Sequence, residues 1–241
     1  MGQHRHPYHR QSSQAFTLVE LLVVIGIIAV LIGILLPVLS RANEHARRAH
    51  CGSNMRQCMI GLFMYANDNK NWLPSQKRDA DGVQHSIWIS RVTYDAVEQA
   101  TGSGKVWTCP NLPGADIDMP WKHDPYGWHV GYFYLGGATD TPWWPGLPSN
   151  EGLWVSPRKT SEPGHRFLMA DNTSQTDSYW ESGAPHTARG WVGAPVNTPP
   201  KVYGVQGGNV GYLDGSVQWK PLAFMKKYAS MRESPEFHGY W

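Results

Sequence analysis

The chain has 241 residues, enough for one sizeable domain with an appendage, and a net charge of +2 that sets no electrostatic theme. Once Arg5, Arg10 and Glu20 are set aside, acidic and basic side chains nearly balance, so no nucleic-acid footprint is visible and no such partner is expected. Three cysteines without a Cys-x-x-Cys pair exclude a disulfide-dense scaffold and a zinc-finger spacing; at most one bridge, no metal and no cofactor are expected.

In chain order, the first strong element is the run from Leu21 to Leu39, in which every residue is apolar, Gly or Pro. At about 1.5 Å rise per residue it spans roughly the ~30 Å hydrocarbon layer, which predicts a transmembrane helix in contact with membrane lipid. A buried core helix is the bland alternative, but a globular head of this size would not ordinarily hide a helix that is apolar on all sides. A cleaved secretory signal would carry a shorter apolar region of about 7–15 residues and then a small-residue site. This run instead ends in Pro37-Val38-Leu39 and passes into a polar stretch. Arg5 and Arg10 before it and Arg41, Arg47 and Arg48 after it leave the positive-inside rule nearly silent on orientation. Glu20, a carboxylate five residues into an otherwise uncharged membrane helix, is costly there and marks a functional position, a Glu sitting at headgroup level being the plainer alternative.

From Arg41 to Asn71 the chain is free of proline, and Met55, Cys58, Met59, Leu62, Phe63 and Ala66 recur at three- and four-residue spacings. That stripe predicts a helix packed on a sheet, stopped by the polar run Asn67 to Asn71 and by Pro74. Beyond it crowd most of the 12 tryptophans, 25 glycines and 18 prolines, which predicts short strands joined by turns and no long helix. Near the C-terminus, Asp214-Gly215 between two alternating runs predicts a hairpin with a two-residue loop. Val210, Tyr212, Val217 and Trp219 would then share one face. Calcium ligation by Asp214 with Asp171 is the weaker reading, since no calcium-loop spacing surrounds them.

No constellation for catalysis stands out. The chain has no His-Glu-x-x-His and no Gly-x-Ser-x-Gly, and Gly102-Ser103-Gly104-Lys105 is half a phosphate loop with Val106 where Ser or Thr belongs. His123, His129, His165 and His186 are scattered and read as surface or hydrogen-bonded histidines. A rival to a structural role is a membrane-anchored surface binding module. Trp107, Trp121, Trp128, Trp143, Trp144, Trp154, Trp180 and Trp191 sit among turns, where exposed indoles stack on sugar rings; core packing is the simpler account.

Ala15-Phe16-Thr17-Leu18-Val19-Glu20 resembles the prepilin cleavage and methylation signature of type IV pilins and type II secretion pseudopilins, Gly-Phe-Thr-Leu-x-Glu, with Ala15 at the Gly position. The resemblance implies that a prepilin peptidase cuts between Ala15 and Phe16 and methylates the new amine. It also implies that Glu20, about one turn on, pairs with the amine of a neighbouring subunit and fixes register. Counting Phe16 as the first mature residue, Pro37 is the twenty-second, where pilin helices carry a helix-bending proline. The stretches Arg41 to Gln57, Met64 to Lys70, Val106 to Pro110, Glu162 to Asn172 and Gly207 to Val217 look like a large bacterial family of pilin-like proteins with a His-(nine residues)-Asp-Gly tail. Gly204 stands where that histidine would be, so no role attached to it transfers.

Cys51 and Cys109 are the two cysteines in family-like contexts, and the resemblance favours a bridge between them in an oxidising extracytoplasmic compartment, two separated thiols being the alternative. Cys58 belongs to the apolar stripe. Together these features imply an α+β, pilin-like chain: leader 1–15, transmembrane helix 16–39, amphipathic continuation 40–71, and a head over 72–241 built on a small antiparallel sheet with long loops. The implied setting is the bacterial inner membrane, single-pass, leader inside and head outside. Its partners there would be the prepilin peptidase and other pilin-like subunits.

Overall fold

The structure is a computed structural model that describes residues 18–112, 120–138, 154–176, 182–188, 190–229 and 237–241. In chain order the elements are α1 (Leu18–Asp68), β1 (Trp88–Ile89), α2 (Arg91–Thr101), a 3-10 turn (Gly104–Trp107), β2 (Trp121–His123), β3 (Gly127–His129), β4 (Tyr132–Tyr134) and β5 (Phe167–Asp171). There follow β6 (Ser174–Thr176), β7 (Ser182–Thr187), β8 (Gly190–Ala194), β9 (Gly207–Tyr212), β10 (Val217–Pro221), a second 3-10 turn (Leu222–Phe224), β11 (Lys227–Ala229) and β12 (Phe237–Tyr240). The chain divides into two compact units between Ser40 and Arg41.

In the first unit the described residues are one helical stretch, and all of them from Leu18 to Ser40 are exposed. Pro37 lies inside the helix, and a Cβ added at Gly26 or Gly33 would meet nothing within 4 Å. An apolar surface of this length, uncovered among the described residues, has a bilayer or neighbouring helices as its natural environment.

The second unit is built on the rest of α1. Cys51, Met55, Cys58, Met59, Leu62 and Ala66 form its buried face, with Phe63 at the margin. The helix stops where Lys70 (φ 56°) and Asn71 (φ 65°) turn left-handed, and the Asn71 N–H closes back on the Ala66 carbonyl at 2.8 Å. Against that face lies the four-stranded sheet β10-β9-β5-β4, antiparallel throughout. Gly211 lets the helix approach: a Cβ there would stand 2.8 Å from the Met59 sulfur and 3.2 Å from that of Met55.

Alternation along β4 gives this sheet two apolar faces. Tyr132 and Tyr134 join the helix-side cluster, while Phe133 and Leu135 join a second cluster with Trp154, Tyr228, Phe237 and Trp241. A three-stranded sheet (β1-β3-β2) and a five-stranded one (β11-β12-β6-β7-β8) complete the unit.

Two details depart from the sequence reading. α2 is an eleven-residue helix in the Gly- and Trp-rich region; Ser90 caps it by accepting the Thr93 N–H, and Gly102 (φ 73°) ends it. The Gly102 to Lys105 stretch is thus a helix stop and the start of a 3-10 turn. The second departure is in the C-terminal hairpin. Val217 pairs with Gly211 and Gln218 with Val210, and Tyr212 N–H bonds the Ser216 carbonyl, so the loop is Leu213-Asp214-Gly215, three residues rather than two. Gly215 (φ 87°) supplies the left-handed position that such loops need. One extra residue shifts the faces: Val210 and Tyr212 belong with the second cluster, whereas Val217 packs on the helix side.

Candidate functional site

Of the residues singled out in the sequence, Ala15 and Phe16 lie outside the described residues. Glu20 stands in the first turn of α1 as described, and Pro37 is seventeen positions further along the same helix. Asp214 is exposed in the hairpin loop, where its Oδ1 accepts the Ser216 N–H at 2.9 Å and hydrogen bonding to Ser216 lowers its pKa.

Cys51 on α1 and Cys109 after the 3-10 turn are joined by a disulfide, with Cα atoms 5.0 Å apart and both residues fully buried. Cys58 is a free, buried thiol whose Sγ donates to the Val106 carbonyl at 3.2 Å.

The disulfide borders a polar cluster that the sequence did not announce. His186, from β7, is completely buried; its Nδ1 is 2.9 Å from Glu44 Oε1 on α1, and its Nε2 is 3.1 Å from Asp171 Oδ2 at the end of β5. Glu44 Oε1 also receives Arg48 Nε at 2.9 Å, and Oε2 receives Asn111 Nδ2 at 2.8 Å. Asp171 Oδ2 further accepts the Asn209 backbone N–H at 2.5 Å and its side-chain amide at 3.0 Å. The Arg48 guanidinium covers the Trp219 ring at 4.1 Å, and the same indole makes an edge contact with the His186 ring, 5.3 Å between centroids.

These partners decide the charge states. Burial by itself would raise the Glu44 carboxyl, but hydrogen bonds from His186, Arg48 and Asn111 outweigh it and hold the group down at about 2. Burial would likewise lower His186, yet the Asp171 charge and hydrogen bond, with Glu44 on the other nitrogen, raise it to about 9. At neutral pH Glu44 is therefore a carboxylate and His186 an imidazolium, with Arg48 beside Glu44. The cluster ties α1, β5 and β7 together. The one signal in the sequence was His186 itself, read there as one of several scattered histidines.

The tryptophans divide. Trp107 and Trp154 are buried, Trp128 stacks on Tyr94 at 3.7 Å, and a Cβ at Gly183 would meet the Trp191 ring, so these four serve packing. Trp143, Trp144 and Trp180 lie outside the described residues, as does the side chain of Trp121.

Residues 10–36 match a family model described as the prokaryotic N-terminal methylation motif. No curated protein and no solved structure matches the chain. That motif, continued by a long apolar helix and an α+β body with antiparallel sheets, fits a type IV pilin-like or pseudopilin protein.

Proposed function

We propose that the chain is a structural subunit of a pilus-like or type II secretion-like assembly, made as a precursor and anchored in the bacterial inner membrane. The carrying observation is the methylation motif over residues 10–36 placed directly on a helix whose first 23 described residues are all exposed. In this reading residues 1–15 are a cytoplasmic leader, and prepilin peptidase cuts between Ala15 and Phe16 and methylates Phe16. Residues 16–39 span the membrane once, 40–71 continue the helix, and 72–241 form the outer head. Glu20 pairs with the methylated amine of a neighbouring pilin-like subunit, and Pro37 lets the helix bend as it leaves the bilayer. The disulfide supports an outer placement for the head, since such bridges persist in oxidising compartments.

The test is intact mass and N-terminal sequence of the membrane-extracted protein, from cells with and without an active prepilin peptidase. A chain beginning with N-methyl-Phe16 only where the peptidase is active is expected. An uncut leader in the presence of the enzyme, or a product starting near residue 40, overturns the reading.

A further inference from the structure

The polar side chains around Cys51 and Cys109 are unusual neighbours for a disulfide, which needs none. Cys51, Cys109, Asp171 and His186 each present a metal-ligating atom, and the four atoms lie within 4.8 Å of one another. All four residues are completely buried. His186 Nε2 is 3.7 Å from Cys109 Sγ. A second observation points at a ligand: Asp171 is fully buried, yet its Oδ1 has no hydrogen-bond partner among the described residues, while Oδ2 takes three contacts. A buried carboxylate oxygen left in this state calls for an explanation, and a cation is one.

We propose that, when the Cys51–Cys109 disulfide is reduced, Cys51, Cys109, Asp171 and His186 form one closed, four-coordinate site for a zinc-class divalent ion. Two thiolates, one imidazole and one carboxylate are a zinc donor set, and four fully buried protein ligands make a structural site rather than a catalytic one. The surroundings carry the outer-shell pattern that such sites use. Glu44 holds His186 Nδ1, which leaves Nε2 as the ligating nitrogen, and the Asn209 amides fix the Asp171 carboxylate through Oδ2.

The exchange balances as follows. A dithiol reductant gives two electrons and two protons to the S–S bond, producing two thiols and its own cyclic disulfide. The ion then binds both sulfurs as thiolates and Nε2 as a lone pair, and the two thiol protons and the Nε2 proton pass to solvent. The cluster thereby joins α1 to β5 and β7 in either redox state, by a covalent bond or by a metal ion. This inference concerns the second unit alone and does not rest on the assembly role.

The test uses the full chain in detergent, reduced anaerobically with a dithiol and then loaded with Zn²⁺ or Co²⁺. Expected are one ion per chain, thiolate-to-cobalt charge-transfer absorption, and protection of Cys51 and Cys109 from alkylation. X-ray absorption of the zinc form should show two sulfurs at about 2.3 Å and two nitrogen or oxygen ligands at about 2.0–2.2 Å. Cys51→Ser or Cys109→Ser should abolish the charge-transfer band, and Glu44→Gln should weaken the ion's affinity about 10- to 100-fold. The leader histidines His4, His6 and His9 offer nitrogen only, so an ion held there gives no sulfur signal. Absence of one-to-one uptake by the reduced wild-type chain, a zinc shell without sulfur, or alkylation of Cys51 and Cys109 undiminished by the metal would each overturn the proposal. The wild-type measurements suffice should a variant fail to fold.

Discussion

Removing the Glu44 carboxylate would leave the fully buried His186 imidazolium with Asp171 as its one carboxylate contact among the described residues, besides the Asn111 amide 3.1 Å from Nδ1. Glu44→Ala should therefore lower the unfolding free energy by about 3–5 kcal/mol, the usual cost of breaking a buried ion pair from one side. Urea unfolding of the detergent-extracted chain reads it, and an unchanged midpoint would refute the role. Two other histidines predict a pH dependence of opposite origin. Burial holds His85 well below its ordinary value, with the Arg78 and His129 charges adding to it, and burial pushes His129 down to about 4. Both accept a proton near pH 6.5 once unfolded, so the unfolded state binds more protons in mild acid and stability falls as pH drops below 6.5. Each group contributes at most roughly 1.4 kcal/mol per pH unit, ending near pH 4 for His129. Around pH 5.5 Glu44 and His186 add little to this slope, since Glu44 differs between folded and unfolded chains mainly below about 4.5 and His186 mainly above about 6.5. His129→Gln should flatten the slope of stability against pH in that window; an identical slope would sink the assignment.

At the scale of elements, the crossing of α1 over α2 is set by Gly61, where an added Cβ would lie 2.7 Å from the Val97 Cα, a backbone atom that cannot move alone. Gly61→Ala should cost about 1–3 kcal/mol by forcing the helices apart, despite alanine's better helix propensity. Val97→Ala should not rescue it, because the clash is with backbone; a rescued double variant in thermal unfolding would show that side-chain crowding was the cause. Legibility also varied by element. The buried stripe on α1 could be read from spacing alone, because a helix repeats its face every three to four residues over a long stretch. α2 was missed although Ser90 and Gly102 mark both its ends, since its short apolar pattern is submerged in Gly- and Trp-rich surroundings. The hairpin at Asp214-Gly215 was legible, but not its loop length, because two- and three-residue loops both accept Asp-Gly and only the pairing of Tyr212 with Ser216 separates them. The Glu44–His186–Asp171 cluster was illegible for another reason: its members lie 142 and 15 positions from His186 along the chain and carry no spacing motif.

Over the whole molecule, the disulfide closes a loop across a sequence separation of 58, which in the chain-entropy account removes about 4 kcal/mol of freedom from the unfolded state. Cys109→Ser should lower stability by up to that amount in metal-free buffer, and equal stability would mean that the unfolded chain is already constrained there. The larger question is what covers the apolar stretch from Leu18 to Leu39, since every residue in it is exposed. A bilayer alone would satisfy its side chains, whereas the proposed assembly adds a second part for the first turn of the helix, in which Glu20 meets the methylated amine of a neighbour's Phe16. Substitution at Glu20 therefore separates anchoring from assembly. Glu20→Gln keeps size and hydrogen bonding while removing the charge, and it leaves the Ala15–Phe16 junction untouched. Cleavage and membrane insertion should persist, while recovery in sheared or cross-linked assemblies falls at least about tenfold, as expected when a desolvated pair worth more than ~1.4 kcal/mol is lost. Wild-type recovery of the variant would refute the pairing, and loss of cleavage would place Glu20 in peptidase recognition instead.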